Sequence, residues 1–427
     1  MKTETKPQSE VIITPEEDYR ALLRSLRRRR GFGLLFVECS EIGAKELVLK
    51  VKNDIPHKQF SFLELSEPTD NLYDLVAAHI QDLAIKDGAL DVLFIRGLEY
   101  SIFEYEDREY LNILERSQSM GYGGSWTGVP PLFGHLNLSR ERFRDNFSFC
   151  LVFLVPEFVL RYFSRRAPDF FDWRSSVYRY PTDKNLLVQE SFRLADFDDR
   201  YEEYGKMTSV QRIAKLSQIR ACIDENSDRK QIADLWFEKG LVHASAEENE
   251  KAIASNDKTL EIKPDSHEAL NNRGAALGNL GRHEEAIASY DKALEIKPDY
   301  HAALYNRGAA LVNLGRYEEA IASCDKALEI KPDFHEAWNN RGIALGNLGR
   351  NEEAIASYDQ AIKIKPDNDS AIYNKSCTYA LQCNLDLALD NLGQAILLSL
   401  EEYREMAKTD SDFDSIRHDP RFQELIQ

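Results

Sequence analysis

Four Lys-Pro-Asp triplets stand at Lys263-Pro264-Asp265, Lys297-Pro298-Asp299, Lys331-Pro332-Asp333 and Lys365-Pro366-Asp367, each 34 residues after the one before. A fixed period of this length means one supersecondary unit copied along the chain, because neighbouring copies must stack to bury a face that a single copy leaves open. Between triplets runs a near-repeat, Asn-Arg-Gly-x-Ala-Leu-x-Asn-Leu-Gly-Arg-x-Glu-Glu-Ala-Ile-Ala-Ser. Its punctuation predicts two helices per unit. Gly281, Gly315 and Gly349 stand where a left-handed cap ends the first helix, and each Lys-Pro-Asp ends the second, since proline cannot continue a helix.

Period and text together resemble the tetratricopeptide repeat (TPR), a helix-turn-helix unit of that length. With the prolines at repeat position 32, Gly240, Gly274, Gly308 and Gly342 take position 8. Ala252, Ala286, Ala320, Ala354 and Ala388 take position 20, where they are expected to face that glycine. Trp236, Leu270, Leu304, Trp338 and Ile372, at position 4, are expected to fill the seams. Five repeats over 232–401 follow, with those at 267–300, 301–334 and 335–368 near-ideal and the outer two worn like caps. In the first, Asn256 and Thr259 replace an aromatic and an alanine; in the fifth, Ser376 replaces glycine and Leu400 proline. Residues 402–427 are expected to pack as a closing helix.

The resemblance implies that the first helix of each pair lines a concave side and meets ligand there. Those positions are rich in asparagine: Asn272, Asn306, Asn340 and Asn374 at position 6, Asn279, Asn313 and Asn347 at position 13, and Asn271, Tyr305, Asn339 and Tyr373 at position 5. An amide offers both donor and acceptor, so such a ladder can hydrogen-bond the backbone of an extended peptide with little demand on its side chains. The other reading is that the asparagines only satisfy backbone groups between repeats. Arg273, Arg307 and Arg341 form a second row, read as partners of the Glu-Glu pairs on the following helix rather than as a carboxylate clamp.

The chain has 427 residues, enough for two or three domains, and the repeats take less than half. Residues 1–230 carry 33 Lys+Arg against 37 Asp+Glu, leaving 21 against 35 for the rest. So acidic an array argues against nucleic acid, whose phosphates it would repel. The six cysteines show no metal spacing, which reads as free thiols in a reducing cytoplasm. No run approaches 18 apolar residues, and Met1 to Glu10 is polar, so neither a membrane span nor a signal peptide is expected.

From Gly31 the pattern is α/β. Gly33 to Cys39, Phe60 to Leu65, Asp91 to Ile95, Phe149 to Val155 and Ser176 to Tyr180 read as buried strands. Ile42 to Asn53, Asn71 to Ala84, Arg108 to Ser119 and a stretch after Pro156 read as helices. Strand and helix in alternation predict a mostly parallel sheet. The expected order is an N-terminal helix and polar tail (1–30), an α/β module (31–184), a helical connector (185–231), then the repeats.

A phosphate cradle after the first strand would read Gly-x-x-x-x-Gly-Lys-Ser/Thr. Here the text is Glu38-Cys39-Ser40-Glu41-Ile42-Gly43-Ala44-Lys45-Glu46. The first glycine is missing, lysine is displaced, glutamate stands where the hydroxyl belongs, and Glu38 and Glu41 would oppose a triphosphate. The third strand ends Arg96-Gly97-Leu98-Glu99 where a magnesium-binding acid is sought. With Leu136 to Arg144 and Arg161 to Arg174 downstream, residues 15 to 185 nonetheless resemble the signal-transducing P-loop ATPases called STAND, in an inactive form. That resemblance implies a P-loop-NTPase-like fold, in a bacterial signalling or conflict protein.

Other features have plainer readings: Arg27 to Arg30 as a helix C-terminus favoured by the dipole, Gly121 to Gly128 as a loop, and His135 as a histidine with no nucleophile beside it. No catalytic, cofactor or metal residue is assigned. The expectation is a cytoplasmic, non-enzymatic adaptor or sensor that holds a protein or peptide partner in its groove. Its α/β module docks a second protein or self-associates. The alternatives are a nucleotide-binding switch acting through the repeats, or an assembly chaperone.

Overall fold

The computed structural model describes residues 14–83, 90–103, 130–195 and 201–427. The expected helix at Arg108 to Ser119, the loop at Gly121 to Gly128 and the tail at Met1 to Glu10 lie outside the described residues. Two compact units divide the chain, Met1–Ala246 and Glu247–Gln427.

The first unit is built on five strands, β1 (Gly33–Glu38), β2 (Phe60–Glu64), β3 (Val92–Arg96), β4 (Cys150–Val155) and β5 (Ser176–Arg179), in the order β2-β3-β4-β1-β5. Every pairing is parallel, with Gly33 opposite Cys150 and Phe60 opposite Val92. Successive side chains leave opposite faces, and both faces are covered, which is why these strands read as continuous apolar runs. Leu35, Val37, Phe94, Val152 and Leu154 pack under α1 (Pro15–Arg28) and α2 (Glu41–Asp54). On the other face Phe36 stacks on Phe153 at 5.0 Å between ring centres and meets Phe163 and Phe171 edge-on. That side carries α3 (Leu72–Asp82), α4 (Pro131–Asn146), α5 (Glu157–Arg166) and α6 (Pro168–Phe171). α4 is one helix the strand-and-helix reading did not assign.

The expected helical connector is three helices, α7 (Lys184–Leu194), α8 (Tyr201–Gly205) and α9 (Ser209–Glu225), and α10 (Arg229–Ala244) follows where the first repeat was expected to open. All four add to the sheet's core, through residues such as Leu187, Tyr204, Ile219 and Leu235. The text of α10 is that of a first-repeat helix, yet its Leu235 and Val242 lie in the N-terminal core.

The second unit is a solenoid of helix pairs: α11 (Asn249–Ile262), then α12 (His267–Asn279) with α13 (His283–Ile296), α14 (His301–Asn313) with α15 (Tyr317–Ile330), α16 (His335–Asn347) with α17 (Asn351–Ile364), and α18 (Asp369–Leu381) with α19 (Leu385–Leu398). The predicted caps are present, with φ of +74°, +72° and +75° at Gly281, Gly315 and Gly349. Glu247 and Cys383 hold the same place in the outer repeats at φ +59°, without glycine's freedom. The position-8 glycines lie against the second helix as expected, with Ala320 O 3.5 Å from a Cβ built on Gly308, and such a Cβ would press hardest on the residue one turn beyond the alanine. A Cβ on Gly274 would lie 2.5 Å from the Tyr290 ring, one on Gly342 2.4 Å from Tyr358, and one on Gly308 2.8 Å from the Cys324 sulfur. Trp338 is only half-buried, with Nε1 donating to Pro332 O at 3.0 Å.

Beyond the fifth pair the expected single closing helix is two, α20 (Leu400–Thr409) and α21 (Pro420–Leu425). α21 begins 35 residues after α19, one off the repeat register, so the cap is a shortened continuation of the same pattern. Phe413 and Phe422, both fully buried, seal the end of the core.

Candidate functional site

The asparagine ladder forms, and much of it bonds to itself. Asn306 donates to Asn271 Oδ1 at 3.0 Å and Asn374 to Asn339 Oδ1 at 3.1 Å. These are direct amide-to-amide bonds, whereas Tyr305 packs against Phe334 at 4.9 Å between ring centres. Position 6 of one repeat is thus tied to position 5 of the repeat before it. Asn271, 7 % exposed, also donates to Asn272 Oδ1 at 3.4 Å. The position-13 residues differ: Asn279, Asn313 and Asn347 are exposed, Asn279 reaching Asn249 at 3.3 Å and Asn347 its own helix at Ile343 O. Tyr373 departs from its expected groove role. It is buried beneath the cap, its hydroxyl donating to Asp410 at 2.9 Å and its ring stacked on Tyr403.

The arginine row also has partners other than those expected. Arg273, Arg307 and Arg341 each donate through Nε to an aspartate of the preceding repeat's second helix, Asp257, Asp291 and Asp325, all at 2.6 Å. Each also donates to a serine, Ser289, Ser323 or Ser357. The Glu-Glu pairs begin their helices, whereas these arginines sit at mid-helix and meet mid-helix groups. Glu285, Glu319 and Glu353 instead pair with Arg282, Arg316 and Arg350. The arginines at position 7 are therefore already engaged.

Cys377, Asp410 and Asp412 bring three possible ligand atoms within 4.8 Å of one another. Asp410 is engaged by the Tyr373 hydroxyl and the Cys377 thiol, and burial pushes that thiol's pKa up, so the group reads as cap bonding.

In the first unit the loop after β1 closes on itself. Ser40 accepts from Gly43 N at 3.1 Å, capping α2, and its hydroxyl meets that of Thr182. Arg96, 3 % exposed, extends from β3 to Glu41 at 3.0 Å and also pairs with Glu64. Arg96 holds the Glu41 carboxyl below its usual range despite burial, while burial pushes Glu99 up to about 7. The space left among Ser40, Glu41, Arg96, Glu99 and Gln218 is about 10 Å³, room for one water. Gly97 has φ +96°, and a Cβ there would strike Leu65 O, so the turn demands glycine. The sequence showed the missing cradle residues; the closure by Arg96 and by α9 joins positions far apart in the text and carried no motif.

Residues 267–300, 301–334 and 335–368 match the tetratricopeptide repeat model. Comparison with curated protein sequences gives no match. Among solved structures the chain is similar to YrrB, described as a TPR protein with an unusual peptide-binding site, at 27% identity over 43% of this chain and 93% of that one, TM-score 0.36. It is also similar to MamA from Desulfovibrio magneticus RS-1, at 20% identity over 41% and 98%, TM-score 0.38. The TPR domain of Arabidopsis OM64 aligns at 25% identity over 27% and 94%, TM-score 0.26. Residues 267–368 of the C-terminal unit are thus three tetratricopeptide repeats within a solenoid of helix pairs.

Proposed function

We propose that this protein is a non-enzymatic adaptor or sensor that holds an extended protein segment along the first helices of its repeats. The carrying observation is the exposed row Asn279, Asn313 and Asn347, spaced by the repeat above a floor whose own amides are largely paired. Such a row offers donors and acceptors in alternation, while the arginines beside it are engaged by aspartates, so recognition falls to neutral hydrogen bonds to a backbone. The α/β unit is read as an inactive STAND-type module that docks a second protein or a second copy. Its support is the parallel sheet with a capped loop and helix after β1, where the chain's own charges fill the strand ends.

The test begins with affinity capture from native extract on the full chain, followed by titration of the captured partner. Asn279→Ala, Asn313→Ala and Asn347→Ala combined should weaken binding at least tenfold with the melting temperature unchanged. Unchanged affinity would place the site elsewhere.

A further inference from the structure

The C-terminal ends of β1 and β3 are covered by a helix that holds on by polar groups. α9 turns Ala214, Ser217, Gln218 and Ala221 toward them, and two voids of about 10 and 20 Å³ remain beneath it. Its larger side chains, Leu216 and Ile219, point away into the core. The ties across this seam are polar and specific. Gln218 donates to Glu41 Oε2 at 2.8 Å, and Glu225 accepts from Thr182 N at 3.2 Å. Glu41 is itself held by Arg96 at 3.0 Å. In the first turn of α2, the Glu41 carboxylate occupies the place that a helix dipole offers to an anion. The network is incompletely satisfied: among the described residues, Arg96 Nε and Glu99 Oε2 have no hydrogen-bond partner although both side chains are nearly fully buried.

We propose that α9 is a releasable strap, held shut over the strand ends by Glu41, which Arg96 fixes and Gln218 grips. Small side chains and voids forfeit the dispersion contacts that would seal the seam, and a half-satisfied buried network costs free energy, so this contact opens before the sheet does. Opening rolls α9 about Leu216 and Ile219 and uncovers the crevice. It also shifts the start of α10, four residues further on. The strap is a property of the α/β unit, independent of what the groove binds.

A native reporter lies inside. Cys39 lines the void beneath α9 and is 3 % exposed, with burial and the nearby carboxylates holding its thiol well above the usual range. Cys150, at the opposite end of the sheet, and Cys324, in the repeats, are buried controls. Pulse labelling of the full chain with N-ethylmaleimide, read by peptide mass spectrometry, should show Cys39 reacting at least tenfold faster in Glu41→Gln and in Gln218→Ala, with Cys150 and Cys324 unchanged. An unchanged Cys39 rate in both variants would overturn the strap. So would Cys150 accelerating in step with Cys39, which would mean that the whole unit loosens. Gln218 is only half-buried, so its variant keeps the test open if Glu41→Gln fails to fold.

Discussion

Glu99 is a carboxyl group where charge is disfavoured. It follows β3 in a 3-10 turn at 5 % exposure, and burial lifts its pKa from 4.5 to about 7 even with Arg96 nearby. Between those values the unfolded chain gives up a proton that the folded unit keeps. The neutral carboxyl's contribution is therefore fully present below pH 4.5 and lost as pH rises through 7, on the order of 3 kcal/mol in total. Glu99→Gln keeps the shape without the charge. It should match the wild type in urea unfolding at pH 4.5 and exceed it at pH 8 by roughly that amount. Equal stability at pH 8 would show that Glu99 ionises in the fold without penalty.

Among the elements, the solenoid helices were legible because the period and the punctuation act locally. Gly281, Gly315 and Gly349 end helices through their own backbone, and proline stops them through its own ring. Contacts across helices were less so: that the Tyr290 ring presses hardest on Gly274 was not readable, since spacing does not say which side chain of a neighbouring helix reaches it. The strands too were legible, from their unbroken apolar runs, whereas Arg96 joining Glu41 and Glu64 follows from the lateral order of strands, which no local signal carries. In the ladder, the type of residue was readable and its partner was not. That partner sets what a substitution does. Asn306→Ala leaves the buried Asn271 oxygen without its donor, which should cost about 1–3 kcal/mol. Asn313→Ala, at an exposed amide, should stay within about 0.5 kcal/mol. Urea melts of the two variants read the difference, and equal losses would mean that the inter-repeat bond contributes nothing.

For the whole molecule, sequence and packing divide the chain differently. By its period α10 opens the repeats, whereas the compact units part at Ala246 and Glu247, leaving α10 with the sheet. The tie within that unit is polar as well as apolar. Glu238, 1 % exposed on α10, accepts the Tyr204 hydroxyl and pairs with Lys215 of α9 at 3.3 Å. Removing the carboxylate from such a buried pair costs about 3–5 kcal/mol. Glu238→Ala should therefore destabilise residues 14–246 by that amount, while 247–427 keeps its protection. Hydrogen exchange along the full chain in rising urea measures both at once. If the repeats lose protection in step with the sheet, the two units unfold as one body, and the repeat period rather than the packing marks the working boundary.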